Sequence, residues 1–125
     1  MNLIPGRILS GSGFRFEAKE GGITLPLQAI DSSTAPVPPA DVVLGIRPEH
    51  LQTVPPGREN GSDLKCRVDM VELLGGEALV HLRFGQTELT GRWETRPVPQ
   101  VGSELLVSIP PDRIHLFNAE SGDRL

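Results

Sequence analysis

The sequence predicts an all-β fold, a small barrel-like body with no long helix. Apolar residues recur with a period of two almost everywhere, the spacing of a half-buried strand. Fourteen glycines and twelve prolines in 125 residues punctuate those strands with tight turns. No long segment keeps the 3.6-residue apolar period of an amphipathic helix.

The first strands flank a hairpin. Arg7-Ile8-Leu9 and Phe14-Arg15-Phe16 lie either side of Ser10-Gly11-Ser12-Gly13. Successive backbone amides in such a loop can bind an oxyanion, but a hairpin tip accounts for it more simply. Gly21-Gly22 ends the second strand, and Ile23, Leu25 and Leu27 alternate in a third. Pro26 within that run predicts a sheet edge. Residues 31–41 and 55–63 read as loops, the first proline-rich and the second polar.

Residues 66–94 read as a three-stranded meander. Cys66 to Leu74 is its first strand, and Gly75-Gly76 suits a type I′ turn with positive φ at both positions. In the next strand Ala78, Val80, Leu82 and Phe84 share one face, with His81 and Arg83 opposite. Gly85-Gln86 suits a type II′ turn. The third strand places Leu89 and Trp93 inward and Glu88, Arg92 and Glu94 outward.

An internal echo spans half the chain. Leu44-Gly45-Ile46-Arg47-Pro48-Glu49-His50-Leu51 aligns with Val107-Ser108-Ile109-Pro110-Pro111-Asp112-Arg113-Ile114. Each is a strand end, a proline, an acid, a base and an aliphatic residue. Proline stops the ladder and presets the turn, and the acid can accept from nearby amides. The echo predicts two related half-modules, about 1–54 and 64–125, joined by loop 55–63 and sharing one body. Each strand would run into a short 3-10-like turn.

Composition excludes several functions. Twelve basic against sixteen acidic residues leave a net charge of −4, with no overall basic footprint for nucleic acid. The five aromatics, Phe14, Phe16, Phe84, Phe117 and Trp93, fall mostly on apolar strand faces and make no base-stacking platform. No apolar run approaches a membrane span, and no signal pattern opens the chain. One cysteine excludes an internal disulfide, so a soluble domain in a reducing compartment is expected.

Catalysis finds little support. Lys19 follows Ala18 and Lys65 follows Leu64, so neither is the lysine of a phosphate-binding P-loop. His50, His81 and His115 lack metal-ligand spacing on any one element. Cys66 in a strand reads as a packed thiol, and no Gly-x-Ser-x-Gly elbow is present. Asn60-Gly61-Ser62 fits a glycosylation sequon but reads as a turn.

Four strings, in order, resemble one family. Gly45-Ile46-Arg47-Pro48-Glu49-His50 is similar to the "GIRPEH" segment in the C-terminal regulatory domain of maltose-type and glycerol-3-phosphate-type ABC importer ATPases. Met1-Asn2 with Gly6 resembles that family's opening strand, and Leu74 to His81 its "LG-x-E-x-x-x-H" hairpin. Pro110 to Phe117 resembles its closing "P-x-R-x-H-L-F", followed by a glycine-containing tail. The resemblance spans almost the whole chain. It implies a TOBE barrel, similar to the OB fold, and a non-catalytic regulatory and dimerisation role.

Walker A, signature and Walker B motifs are absent from this sequence. The resemblance therefore implies an excised or separately encoded regulatory domain. No cofactor is expected here, since ATP and Mg would belong to the parent's ATPase domain. Two such domains would stay in contact while the ATPase domains open and close, a tether that raises their effective concentration. Implied partners are a second copy, the ATPase domain, the importer's membrane subunits and a cytoplasmic regulator, with no nucleic acid. The implied location is cytoplasmic, at the inner membrane through the complex. Arg47, Glu49, His50 and Arg113 are candidates for pinning the turns, and Glu77 for a surface contact. A local ion pair and turn cap accounts equally well for Arg47 and Glu49. The alternative function is an oxyanion-binding barrel of the molybdate type, against which the scarcity of lysine argues.

Overall fold

The computed structural model describes residues 1–11, 13–20, 24–27, 40–55, 57–58, 62–94 and 99–125. Ten strands run β1 (Asn2–Ser10), β2 (Phe14–Ala18), β3 (Thr24–Pro26), β4 (Ala40–Ile46), β5 (Gln52–Thr53), β6 (Leu64–Leu74), β7 (Glu77–Phe84), β8 (Thr87–Glu94), β9 (Glu104–Ser108) and β10 (His115–Asn118). The two helical elements among the described residues are 3-10 turns at Pro48–His50 and Pro111–Arg113.

Alternation explains each strand's inward face. Ile4 and Ile8 of β1, Val42, Leu44 and Ile46 of β4, and Leu64, Cys66 and Val68 of β6 enter one core. Ala78, Val80, Leu82 and Phe84 of β7 join it, with Leu89 of β8. The expected meander is present as β6-β7-β8, paired antiparallel throughout. Phe16 and Phe84 are buried; Phe14, Phe117 and Trp93 are partly so.

The strands form two five-stranded sheets, β10-β4-β1-β2-β3 and β5-β9-β6-β7-β8. The second order repeats the first with every strand advanced by five places, except that β5 and β10 are exchanged. The short strand after each 3-10 turn therefore completes the opposite sheet. The two turns match closely. His50 N–H donates to Arg47 O at 3.0 Å and Arg113 N–H to Pro110 O at 3.1 Å. Leu51 behind the first turn is buried and Ile114 behind the second is partly buried.

Asn2 joins the sheets. Its Nδ2 donates to Thr90 O at 2.8 Å, and Thr90 N–H donates to its Oδ1 at 2.7 Å. Its amide is buried with both polar ends paired, as a buried polar group requires.

Several local expectations need correction. Gly75 has φ +68°, but Gly76 lies outside the left-handed region. One positive φ, at the first position, is the pattern of a type II′ turn and not of the expected I′. Gly85 carries the expected φ of +61°. The 31–41 connector is shorter than read, because Ala40 and Asp41 pair with Ile8 and Arg7 as the start of β4. Residues 31–39, Gly21-Gly22-Ile23 and Asn60-Gly61 lie outside the described residues. Pro26 does lie on an edge strand. The 55–63 connector has no strand among its described residues.

Candidate functional site

The first turn is built by contacts from three elements. Gly45 sits where a Cβ would meet Met1 Sδ at 2.5 Å and the Phe117 ring at 2.8 Å, so glycine lets both side chains close over β4. Trp93 Nε1–H donates to Leu51 O at 2.6 Å, tying β8 to the end of the turn. The indole also covers Gly91, whose absent side chain makes room for it.

Arg47 and Glu49 form no ion pair. The Glu49 carboxyl lies below its usual value chiefly because it accepts from its own backbone N–H, with the charges of His50, Arg47 and Arg92 adding to this. No side-chain hydrogen bond caps the turn at Arg47. Arg113 projects into solvent at the second turn.

The fold brings His50 and His115 to one neighbourhood. His115 pairs with Gly45, two residues before Arg47 along extended chain. Phe117 forms a bridge with Arg124, whose Nη2 lies 2.9 Å from His115 Nδ1. Guanidinium has no acceptor, so His115 Nδ1 accepts and its proton resides on Nε2. The ring is held below the ordinary imidazole range, first by burial and then by the charges of Arg124, Arg47 and His50. His50 Nδ1 is buried with no hydrogen-bond partner. His81 lies elsewhere, 2.7 Å from Glu72. Among the described residues no group of His, Cys, Asp or Glu side chains could hold a metal.

The β6-β7 hairpin is the second candidate region. A bulge at Asp69 shifts the register between Val68 and Met70. Arg83 anchors it, donating from Nε to Asp69 and from Nη2 to Glu88, both at 3.0 Å. Beyond the bulge Val71 still packs against the core, but Met70, Leu73 and Leu74 are 47%, 64% and 49% exposed. Leu73 pairs with Ala78 on one face, while Met70 and Leu74 pair with His81 and Glu77 on the other. The tip is therefore apolar on both sides. Glu77 is not a free carboxylate, since Arg92 Nε donates to it at 2.5 Å. The adjacent pair Leu73-Leu74 breaks alternation and was the signal for this exposure in the sequence. Arg124, by contrast, left no local signal.

Comparison with known proteins now decides the family. The TOBE domain model matches residues 44–117, more than half of the chain. The chain belongs to the TOBE domain family. A model of the MalK OB fold domain matches residues 1–51, which carry β1 to β4 and the first turn. This TOBE domain is 38% identical over all 125 residues to the sn-glycerol-3-phosphate import ATP-binding protein UgpC of Escherichia coli O1:K1 / APEC. It has the same identity to UgpC of Salmonella typhimurium strain LT2. The chain spans 33% of the length of these relatives. The fold is similar to a crystal structure of the cytoplasmic molybdate-binding protein ModG with molybdate bound. The TM-score is 0.71 at 20% identity, covering 92% of this chain and 94% of that one.

Lys65, the second residue of β6, lies 3.5 Å from Glu104, and Lys19 follows β2 with its N–H donated to Pro5 O. No helix among the described residues is long and apolar enough to cross a membrane.

Proposed function

We propose that this chain is a non-catalytic regulatory and self-association domain of the ATP-binding subunit of an ABC importer for sugars, polyols or glycerol phosphate. The observation that carries the reading is the match of the whole chain to UgpC at 38% identity. In this reading nucleotide chemistry belongs to an ATPase domain, and the TOBE domain couples to it mechanically. Two copies hold each other while the ATPase domains move, at the cytoplasmic side of the inner membrane. Importer membrane subunits and a cytoplasmic regulator are its further partners.

The hairpin supports the self-association part. Exposed apolar side chains on both faces of a tip, flanked by fixed ion pairs, mark a contact surface. Arg47, Glu49, His50 and Arg113 serve the two turns, and Glu77 with Arg92 braces the hairpin beside its tip. Residues 1–54 and 64–125 act as half-modules whose exchanged β5 and β10 make them one mechanical body.

A chimera tests the assignment. This chain replaces the matching segment of UgpC, and uptake of glycerol 3-phosphate is compared with UgpC lacking that segment. Restored uptake is expected. A folded chimera no more active than the truncated protein contradicts the assignment.

A further inference from the structure

We infer that two copies of this chain join edge to edge through residues 69–74 of β6, so that their hairpins form one continuous antiparallel sheet. The inference rests on the self-association reading and adds the backbone edge that makes the contact.

An unpaired strand edge is a template for another strand, and folds usually shorten it, charge it or cover it. The outer strands of both sheets are dealt with in these ways. β3 has three residues and ends on Pro26, and β5 has two. On β8 the Asn2 amide takes both backbone groups of Thr90, with Glu88, Arg92 and Glu94 exposed beside it. Along β10, Leu125 N–H donates to Leu116 O and Asn118 N–H to Asp123 O, both at 2.8 Å.

The far half of β6 is treated differently. β9 pairs only with Leu64 to Arg67. The turn before β9 takes Val68, with Gly102 N–H donating to Val68 O at 2.7 Å and Val68 N–H to Ser103 O at 2.9 Å. Beyond Val68 no strand among the described residues pairs with that side of β6. Asp69 to Leu74 include no lysine or proline, and they expose Met70, Leu73 and Leu74.

Register fixes which backbone groups this edge offers. Leu74 and Glu77 flank a two-residue turn and bond each other, and bonded pairs alternate back from them. Met70, Glu72 and Leu74 therefore bond β7, while Val71 and Leu73 point their N–H and C=O groups away from it.

Charge favours a second copy as the occupant. Asp69 and Glu72 are held by Arg83 and His81 of their own hairpin, at 3.0 and 2.7 Å. The edge thus offers no free charge to a basic or an acidic segment, and suits a strand with apolar side chains and internally paired charges. β6 is itself such a strand. About a two-fold axis beside Glu72, Val71 and Leu73 bond Leu73 and Val71 of the second copy, the isologous contact of a symmetric dimer. Met70 and Leu74 then lie opposite Leu74 and Met70 of the second copy, which covers apolar surface on both. Glu72 faces its counterpart across the axis, each carboxylate drawn back by its own His81.

The test combines sedimentation with amide hydrogen exchange of the full chain, at low and high micromolar concentration. Where the dimer dominates, the Val71 and Leu73 amides should exchange about tenfold more slowly than in the monomer. The Glu72 and Leu74 amides, bonded to β7, should be slow at both concentrations. Leu73→Pro removes an N–H that β7 does not use and should weaken the dimer about tenfold, whereas Leu73→Val keeps the N–H and should dimerise like the parent. If Leu73→Pro does not fold, exchange in the parent alone decides. A dimer whose Val71 and Leu73 amides exchange as fast as in the monomer overturns the edge contact and leaves self-association standing. Protection of those amides that is independent of concentration means this chain covers its own edge, and also overturns it. A parent that stays monomeric at high micromolar concentration overturns the self-association reading and this inference with it.

Discussion

Gly6 shows how one missing side chain shapes the barrel. A Cβ there would lie 2.3 Å from Glu17 O and 2.5 Å from the Phe16 ring. A backbone oxygen cannot step aside as a flexible side chain can. Gly6→Ala should therefore cost about 3 kcal/mol in urea unfolding, with an unchanged m-value. Gly76→Ala meets nothing within 4 Å and has no left-handed φ, so it should stay within about 0.5 kcal/mol of the parent. Titration acts at the same scale. His115 has a folded pKa below its ordinary 6.5, so the folded state binds fewer protons than the unfolded chain near that pH. Its contribution is intact above about 6.5 and is lost as pH falls through that value. Glu49, depressed from 4.5, loses its own contribution at lower pH. Urea midpoints should fall in two stages on acidification, and His115→Gln should remove the first. A midpoint that rises between neutral pH and pH 6 contradicts this sign.

At the scale of elements, strands and turns were legible because alternation and glycine are local signals. Ala78 to Phe84 declared its faces through His81 and Arg83 alone. The 3-10 turns were legible because Pro48 and Pro111 occupy equivalent places in an echo. The Gly75-Gly76 turn type was not, since glycine permits either sign of φ and strand twist chooses. Contacts between distant elements left the least trace. Nothing local in Asn2 announces its pair of hydrogen bonds to Thr90, and nothing in Trp93 announces Leu51. The family resemblance reached His115 but not its hydrogen bond from Arg124, which depends on the bridge between Phe117 and Arg124. Asn2→Leu should strand both Thr90 backbone groups and cost about 3 kcal/mol. The buried Cys66 thiol, pushed up to about 12 by burial, makes alkylation a readout. Iodoacetamide should label Cys66 faster in Asn2→Leu than in the parent chain. Equal labelling rates would mean the sheets do not need this clamp.

For the molecule as a whole, the exchange of β5 and β10 makes the two sheets inseparable. Neither can slide from the other without breaking a strand pair, which suits a body that transmits force. The core is accounted for by buried aliphatic faces, yet Leu73 and Leu74 remain outside it on a hairpin braced by Asp69-Arg83-Glu88, Glu72-His81 and Glu77-Arg92. Exposed ion pairs of this kind contribute little stability each. In the proposed self-association they hold the tip in one shape. The most direct measurement is the mass of the chain by sedimentation across the micromolar range, for the parent and for Leu73→Glu/Leu74→Glu. The account predicts a dimer that grows with concentration in the parent, and a folded monomer with protected Cys66 in the variant. A strictly monomeric parent at high micromolar concentration, or a variant that dimerises as well as the parent, would contradict it.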